Sequence, residues 1–193
     1  MFFYWFVCTI LYFASRIAYK VRISGTENIP DEGAFILCCN HIHSYDPAMF
    51  AINIKRRLNF MAKKELFRKR TGRWFFSKMG AFPVDRKATD MTSYRKAMEV
   101  LKSGGGLLIF SQGTRMQELN IKGAKGGVAL FAVKGRVPVI PAGITCEYNF
   151  RDEMYVRFGK PISLEEYYNK RLKTEEIEII MEGIMSEVEK LLG

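Results

Sequence analysis

The chain has 193 residues, enough for one domain with a sizeable core, and 48% of them are apolar, which excludes a disordered tail. Lys and Arg number 30 against 20 Asp and Glu, and the resulting formal charge of +10 points to an anionic partner. That partner is a nucleic acid, an anionic membrane surface or a phosphorylated substrate; a generally basic, solvated surface gives the same balance. Only two histidines are present, His41 and His43, and the four cysteines (Cys8, Cys38, Cys39, Cys146) form no C-x-x-C pair. This argues against a His/Cys zinc site and for small buried thiols in a reducing compartment. No metal and no cofactor is expected.

Met1 to Ser15 carries no charged side chain and is dense in aromatics (Phe2, Phe3, Tyr4, Trp5, Phe6, Tyr12, Phe13), with Arg16, Lys20 and Arg22 directly after it. Fifteen helical residues reach about 22 Å, short of a ~30 Å hydrocarbon core. Residues 1–19 therefore read as an interfacial or shallowly inserted membrane-anchor helix, with aromatics at headgroup depth and basic residues on anionic lipid. A core helix packed on the domain is the alternative. With no basic region before the apolar run and no small-residue cleavage site, a cleaved leader fits poorly. Residues 20–193 read as one domain, without repeat or linker.

Val21–Gly25 is a short strand ending in a turn, and Ala34–Cys39 is a buried strand. Pro47–Ile54 has the composition of a short helix. Leu58–Ala62 is a further strand, and Trp74, Phe75, Phe76 and Met79 suggest a buried helical face. Gly80–Arg86 ends another strand. Asp90–Ser103 is an amphipathic helix with Met91, Tyr94, Met98 and Leu101 on one face, stopped by Gly104–Gly106. Leu107–Phe110 is a strand of the parallel-sheet type. Ser111–Arg115 follows it, and Lys122–Gly127 opens a helix with an anion-friendly N-terminus. Val137–Pro141 is a strand punctuated by two prolines, which argues for an edge or irregular position. Met154–Gly159 closes the sheet, and Thr174 caps a last helix with a stripe of Ile177, Ile180, Ile184, Val188 and Leu191. Strands alternating with helices make the fold α/β, a mostly parallel sheet flanked by helices.

The stretch Asn40-His41-Ile42-His43-Ser44-Tyr45-Asp46-Pro47 follows the central strand. His41 falls at the strand's carboxyl end, where open α/β sheets bind ligands. Asp46-Pro47 reads as a helix start with Asp as N-cap and Pro at the first helical position. Five residues apart, the two side chains can turn back on each other, and a carboxylate on one imidazole nitrogen fixes the tautomer and leaves the other nitrogen as a base. Two residues that merely cap a loop have the same spacing. Clusters around His41, Arg86, Gly113 and Pro141 would share one sheet edge. There a base, a carboxylate, cationic groups and a glycine loop meet, and Arg86 is placed to fork a phosphate. No nucleotide-binding glycine motif is present.

This set resembles the glycerolipid acyltransferase family, specifically the bacterial 1-acylglycerol-3-phosphate acyltransferases, across roughly Val21 to Gly159. Asn40, His41 and Asp46 match N-H-x-x-x-x-D; Gly80, Val84, Asp85 and Arg86 match the second motif. Phe110-Ser111-Gln112-Gly113-Thr114-Arg115 is similar to F-P-E-G-T-R, and Val137–Pro141 to V-P-[IV]-[IV]-P. The resemblance implies that His41, oriented by Asp46, deprotonates the free hydroxyl of lysophosphatidic acid. The hydroxyl then attacks the thioester of acyl-CoA or acyl-carrier protein to give phosphatidic acid, without metal or covalent acyl-enzyme. It implies phosphate binding by Arg86, Gly113, Thr114, Arg115 and Lys63. It also implies an acyl or donor side shaped by Val137, Pro138 and Pro141, with the domain held on the cytosolic face of the membrane. Two departures stand out. Gln112 occupies the place of a Glu, which removes any general-base role there, and His43 stands where many members have Ser. The competing expectations are an acyltransferase for another acceptor (glycerol 3-phosphate or a lyso-lipid without phosphate) and a lipid-binding protein without turnover. A nucleic-acid binder is disfavoured, because the basic residues are scattered and no recognised module appears.

Overall fold

The computed structural model describes residues 1–85, 90–112 and 126–193. Helix α1 (Phe2–Ala18) leads into strand β1 (Lys20–Ser24). Strand β2 (Phe35–Cys39), helix α2 (Asp46–Ile52), strand β3 (Leu58–Lys63), helix α3 (Arg70–Lys78) and strand β4 (Ala81–Val84) follow. Next come α4 (Met91–Lys102), β5 (Gly106–Phe110), α5 (Gly127–Gly135), β6 (Val139–Thr145), β7 (Glu153–Phe158) and α6 (Thr174–Lys190).

The strands form a single sheet in the order β1-β7-β6-β2-β5-β3-β4. All neighbours pair in parallel except β6 and β7, so β1 and β7 run against the other five. All five residues of β2 are buried, which requires cover on both faces of the sheet. The two-residue period of the strand divides them between two cores. Phe35, Leu37 and Cys39 pack with residues of α1 and α2, including Tyr4, Cys8 and Phe50. Ile36 and Cys38 pack with α4, α5 and α6 through Ala97, Ala132 and Ile184. The result is three layers, with the carboxyl ends of β2, β3, β4, β5 and β6 along one edge. At the other end of β5 only glycine fits, because a Cβ on Gly106 would lie 2.6 Å from the Phe35 ring.

Several expectations change at this level. The proline-punctuated strand is interior, lying between β7 and β2. Val139 exchanges both backbone bonds with Ile162, so residue 141, two further on, faces the same side. The missing N–H of Pro141 therefore points into the gap where the chain leaves β7, and its carbonyl still accepts from Gly159 N at 2.8 Å. The strand continues to Thr145, so Pro141 is mid-strand and not a strand end. Helix α3 buries none of its own residues; Trp74 and Phe75 stay exposed, and the Trp74 ring meets that of Phe3 of α1 at 4.9 Å with a 60° tilt. In α4 the inward face is Ser93, Ala97, Val100 and Leu101, with Met91 exposed. Asp90 is the N-cap of α4, accepting from Thr92 N and Ser93 N. Thr174 is the first residue of α6 rather than its cap; the N-terminal bond there runs from Lys173 N to Glu176.

Helix α1 is amphipathic about the domain. Tyr4, Cys8 and Ser15 are buried, and Leu58 N donates to the Tyr4 hydroxyl at 3.2 Å. The opposite stripe consists of Phe2, Phe6, Ile10, Phe13 and Ile17, all exposed. Among the described residues no helix is long and apolar enough to cross a membrane.

Candidate functional site

The site is built on the loop after β2. Asn40 fixes where that loop leaves the sheet: its amide donates to Ile144 O at 2.8 Å and accepts from Ile144 N at 2.9 Å, locking β2 to β6. His41 follows and is 9% exposed, with its ring stacked on Phe110 at 3.9 Å. Its Nδ1 lies 2.7 Å from Asp46 Oδ2. The same carboxylate oxygen accepts from Ile42 N at 2.7 Å and from His43 N at 2.8 Å. Asp46, fully buried, is therefore not a forward helix cap. It is the first residue of α2, Tyr45 is the cap position, and the side chain reaches back to organise the loop that carries His41. A carboxylate on Nδ1 keeps the proton there and leaves Nε2 with its lone pair, the arrangement of a general base.

The second carboxylate oxygen, Oδ1, accepts a hydrogen bond from the hydroxyl of Tyr148. The signal that could have found this residue is topological. β6 is parallel to β2, so the loop after Thr145 must come out on the His41 edge. Tyr148 has a left-handed backbone (φ 64°), unusual for an aromatic residue and costing on the order of 1 kcal/mol. Its ring stacks on His43 at 4.2 Å and meets Tyr19, just past α1, edge-on at 5.7 Å. Burial, and then the Asp46 charge, push its phenol well above the usual range, so it stays a protonated donor.

His41 lines a cavity of about 550 Å³. Its walls are mainly apolar: Val7 and Leu11 from α1, Ala48 and Ala51 from α2, Phe75 and Phe76 from α3, together with Met79. Lys63, at the carboxyl end of β3, lines the same cavity. A largely apolar space with, among the described residues, one imidazole and one cation suits a ligand with a long hydrocarbon part and a small polar head.

Of the predicted site residues, His41, Asp46 and Lys63 are brought to one edge. Arg86, Gly113, Thr114 and Arg115 lie outside the described residues, as do Lys122–Lys125 of the glycine-rich stretch. The strands that precede Arg86 and Gly113 do end on the His41 side, at Val84 and Phe110. Val137 and Pro138 sit before β6 starts, at the opposite end of the sheet. Val137 is buried there in the core with Leu101, and Pro138 O accepts from Ile36 N at 3.0 Å. Pro141 is inside β6. None of these three lines the cavity beside His41. Sequence reasoning missed Phe110 as the surface beneath the imidazole, and it missed Tyr148.

Gln112 is buried. Cys8, Cys38, Cys39 and Cys146 are free thiols, and burial raises Cys38 to about 12 and pushes Cys39 well above its ordinary value. Neither strand cysteine is a nucleophile at neutral pH. Among the described residues no group of three His, Cys, Asp or Glu side chains is placed to hold a metal.

The site is thus a three-layer α/β sheet edge with a His–Asp pair over an apolar cavity. The profile of the Acyltransferase family matches residues 20–145, and the chain belongs to that family. It is 31% identical over 175 residues to the 1-acyl-sn-glycerol-3-phosphate acyltransferase of Streptococcus pneumoniae, covering 86% of this chain and 64% of that one. The protein of the same name from Bacillus subtilis is 33% identical over 123 residues, 63% of this chain and 61% of that one. The chain thus spans somewhat less than two thirds of the length of either relative. In fold it is similar to the crystal structure of the 1-acyl-sn-glycerophosphate (LPA) acyltransferase PlsC from Thermotoga maritima. There the TM-score is 0.65 at 24% identity, over 89% of this chain and 71% of that one.

Proposed function

We propose that this chain transfers a fatty acyl group from acyl-CoA or acyl-carrier protein to the free hydroxyl of 1-acyl-sn-glycerol 3-phosphate, giving phosphatidic acid. The observation that carries this reading is the buried His41–Asp46 pair at 2.7 Å opening onto an apolar cavity of about 550 Å³. Nε2 of His41 takes the hydroxyl proton as the oxygen attacks the thioester carbonyl. The tetrahedral intermediate collapses, the C–S bond breaks, and the imidazolium returns the proton to the leaving sulfur. Ester and thiol are the products. The apolar walls from α1, α2 and α3 take an acyl chain. Lys63 takes the acceptor phosphate together with Arg86 and Arg115, which the sequence attaches to β4 and β5.

The outward stripe of α1 lies in the interface of an anionic membrane, on its cytosolic side, and delivers the lipid acceptor to the cavity. Large exposed apolar side chains next to Arg16, Lys20 and Arg22 support this. The test is acceptor-dependent thiol release from a long-chain acyl-CoA, and separately from acyl-carrier protein, with lysophosphatidic acid in mixed micelles. Wild type and His41→Ala run side by side. Release that needs the acceptor and disappears in the variant supports the reading and names the donor. No release with either donor, or release unchanged in His41→Ala, defeats it.

A further inference from the structure

We infer that Tyr148 is a positioning residue of the reaction, acting on His41 through Asp46; this rests on the general-base reading of His41. Asp46 has two oxygens with separate duties. Oδ2 takes His41 Nδ1 and the two loop amides of Ile42 and His43, while Oδ1 takes the Tyr148 hydroxyl. The carboxylate is wholly buried, so each of these bonds bears on its charge and its orientation. Tyr148 is itself held from several sides. Its amide donates to Cys146 Sγ at 3.2 Å, and its ring lies between His43 and Tyr19. The turn that follows is tied to α1 and β1 by Arg151 N to Ala18 O at 2.6 Å and Lys20 N to Asp152 O at 2.8 Å. A strained aromatic residue fixed this firmly, with its one polar atom on a buried carboxylate, is placed to set that carboxylate.

The consequence is a shift in the protonation of His41. The hydroxyl draws charge from Asp46. Without it the carboxylate faces the imidazole with fuller charge, the imidazolium is favoured, and the free base is populated only at higher pH. Other titratable groups facing this cluster are His43 and Tyr45 from the His41 loop, Tyr19 after α1, Cys39 from β2, and Cys146, Glu147 and Asp152 from the loop of Tyr148. The Tyr148→Phe change leaves all of them and keeps both ring contacts.

The experiment measures kcat and KM of Tyr148→Phe against pH. In parallel, a nitrogen-15 NMR titration follows the imidazoles, which are only two in this chain, with His43→Gln for assignment. The expected result is a kcat lower by about 10-fold, from loss of one charge-assisted hydrogen bond. Both KM values stay within about twofold, and the acid limb rises by about half a pH unit with the His41 titration following it. An acid limb and a His41 titration unchanged from wild type overturn the inference, whatever happens to kcat, because a merely structural tyrosine moves neither. Should the protein show no turnover at all, the functional reading fails and the His41 titration still decides the role of Tyr148. If Tyr148→Phe does not fold, 3-fluorotyrosine introduced at 148 supplies a stronger donor on the same ring. It should move the limb and the titration down, and no movement overturns the inference.

Discussion

The edge that carries His41 and the outer face of α1 are both rich in aromatic residues and are opposite in physical character. At the His41 edge the rings come with polar partners: Phe110 lies under the imidazole, Tyr148 bonds Asp46, and His43 stacks on Tyr148. The carboxylate at its centre is fully buried. On the outer face of α1 the rings lie in the open, with Phe2 85% and Phe13 62% exposed, and the polar neighbour there is the Arg16 guanidinium, 4.3 Å from the centre of the Tyr12 ring. A buried polar array is unforgiving, because each group must be satisfied and so one geometry is selected. An exposed apolar stripe selects no geometry by itself, and what it favours is a change of medium. Under the proposed function, the first region would serve the chemistry and the second the lipid phase that holds the acceptor. The cavity is lined both by His41 and by Val7 and Leu11, which lie on α1 between its buried and exposed faces.

Perturbing each region in turn breaks or sharpens this contrast. His41→Ala should have the largest effect, lowering kcat by about 10² to 10⁴ while circular dichroism and the melting temperature stay close to wild type. A variant that melts normally and turns over at the wild-type rate would remove the polar edge from the reaction. Next in size is the combined change Phe6→Ser, Phe13→Ser and Ile17→Ser on the exposed stripe. Each apolar side chain seated in lipid contributes about 1.5–3 kcal/mol, so partition into anionic vesicles should fall by two orders of magnitude or more. Thermal stability should be little changed, since none of the three is part of the core. Equal vesicle binding by wild type and triple variant would mean that the stripe faces something other than lipid. Smaller is Ala51→Leu in the cavity wall, where the site is buried. It should shift preference toward shorter acyl chains by a few-fold in kcat/KM, read by competition between chain lengths.

The smallest effect belongs to the cap of α4. The backbone N–H of Asp85, followed by those of Ser93 and Thr92, lowers the Asp90 carboxyl below its usual value of 3.8. The depressed value means the cap stabilises at all pH values above that range and loses its contribution as pH falls through it. Asp90→Asn should therefore melt slightly below wild type at pH 7, with the two curves converging under acid conditions.

How far the residues alone reach can be read from particular elements. Phe35–Cys39 is apolar without interruption and so had to be a strand covered on both faces, and the five-residue spacing of His41 and Asp46 allowed the pair that forms. Trp74 and Phe75 misled, because an aromatic helix face looks the same whether it meets a core or, as here, an exposed contact with Phe3 and an open cavity wall. Pro141 misled because a missing donor is costly only where the ladder requires it, and here it faces a gap beside Gly159.

By itself the sequence determined the α/β class, most of the strands (the bounds and interior position of β6 excepted), the position of His41 at a strand end and the apolar character of α1, since all of these rest on spacing along the chain. The tertiary structure decided which strands are neighbours. It thereby brought the loop after β6, with Tyr148, 102 residues from Asp46, onto the carboxylate. It also decided which stripe of α1 is buried and that α1, α2 and α3 close a cavity around His41. Contacts of that kind depend on strand order and helix rotation, and neither is carried by local periodicity.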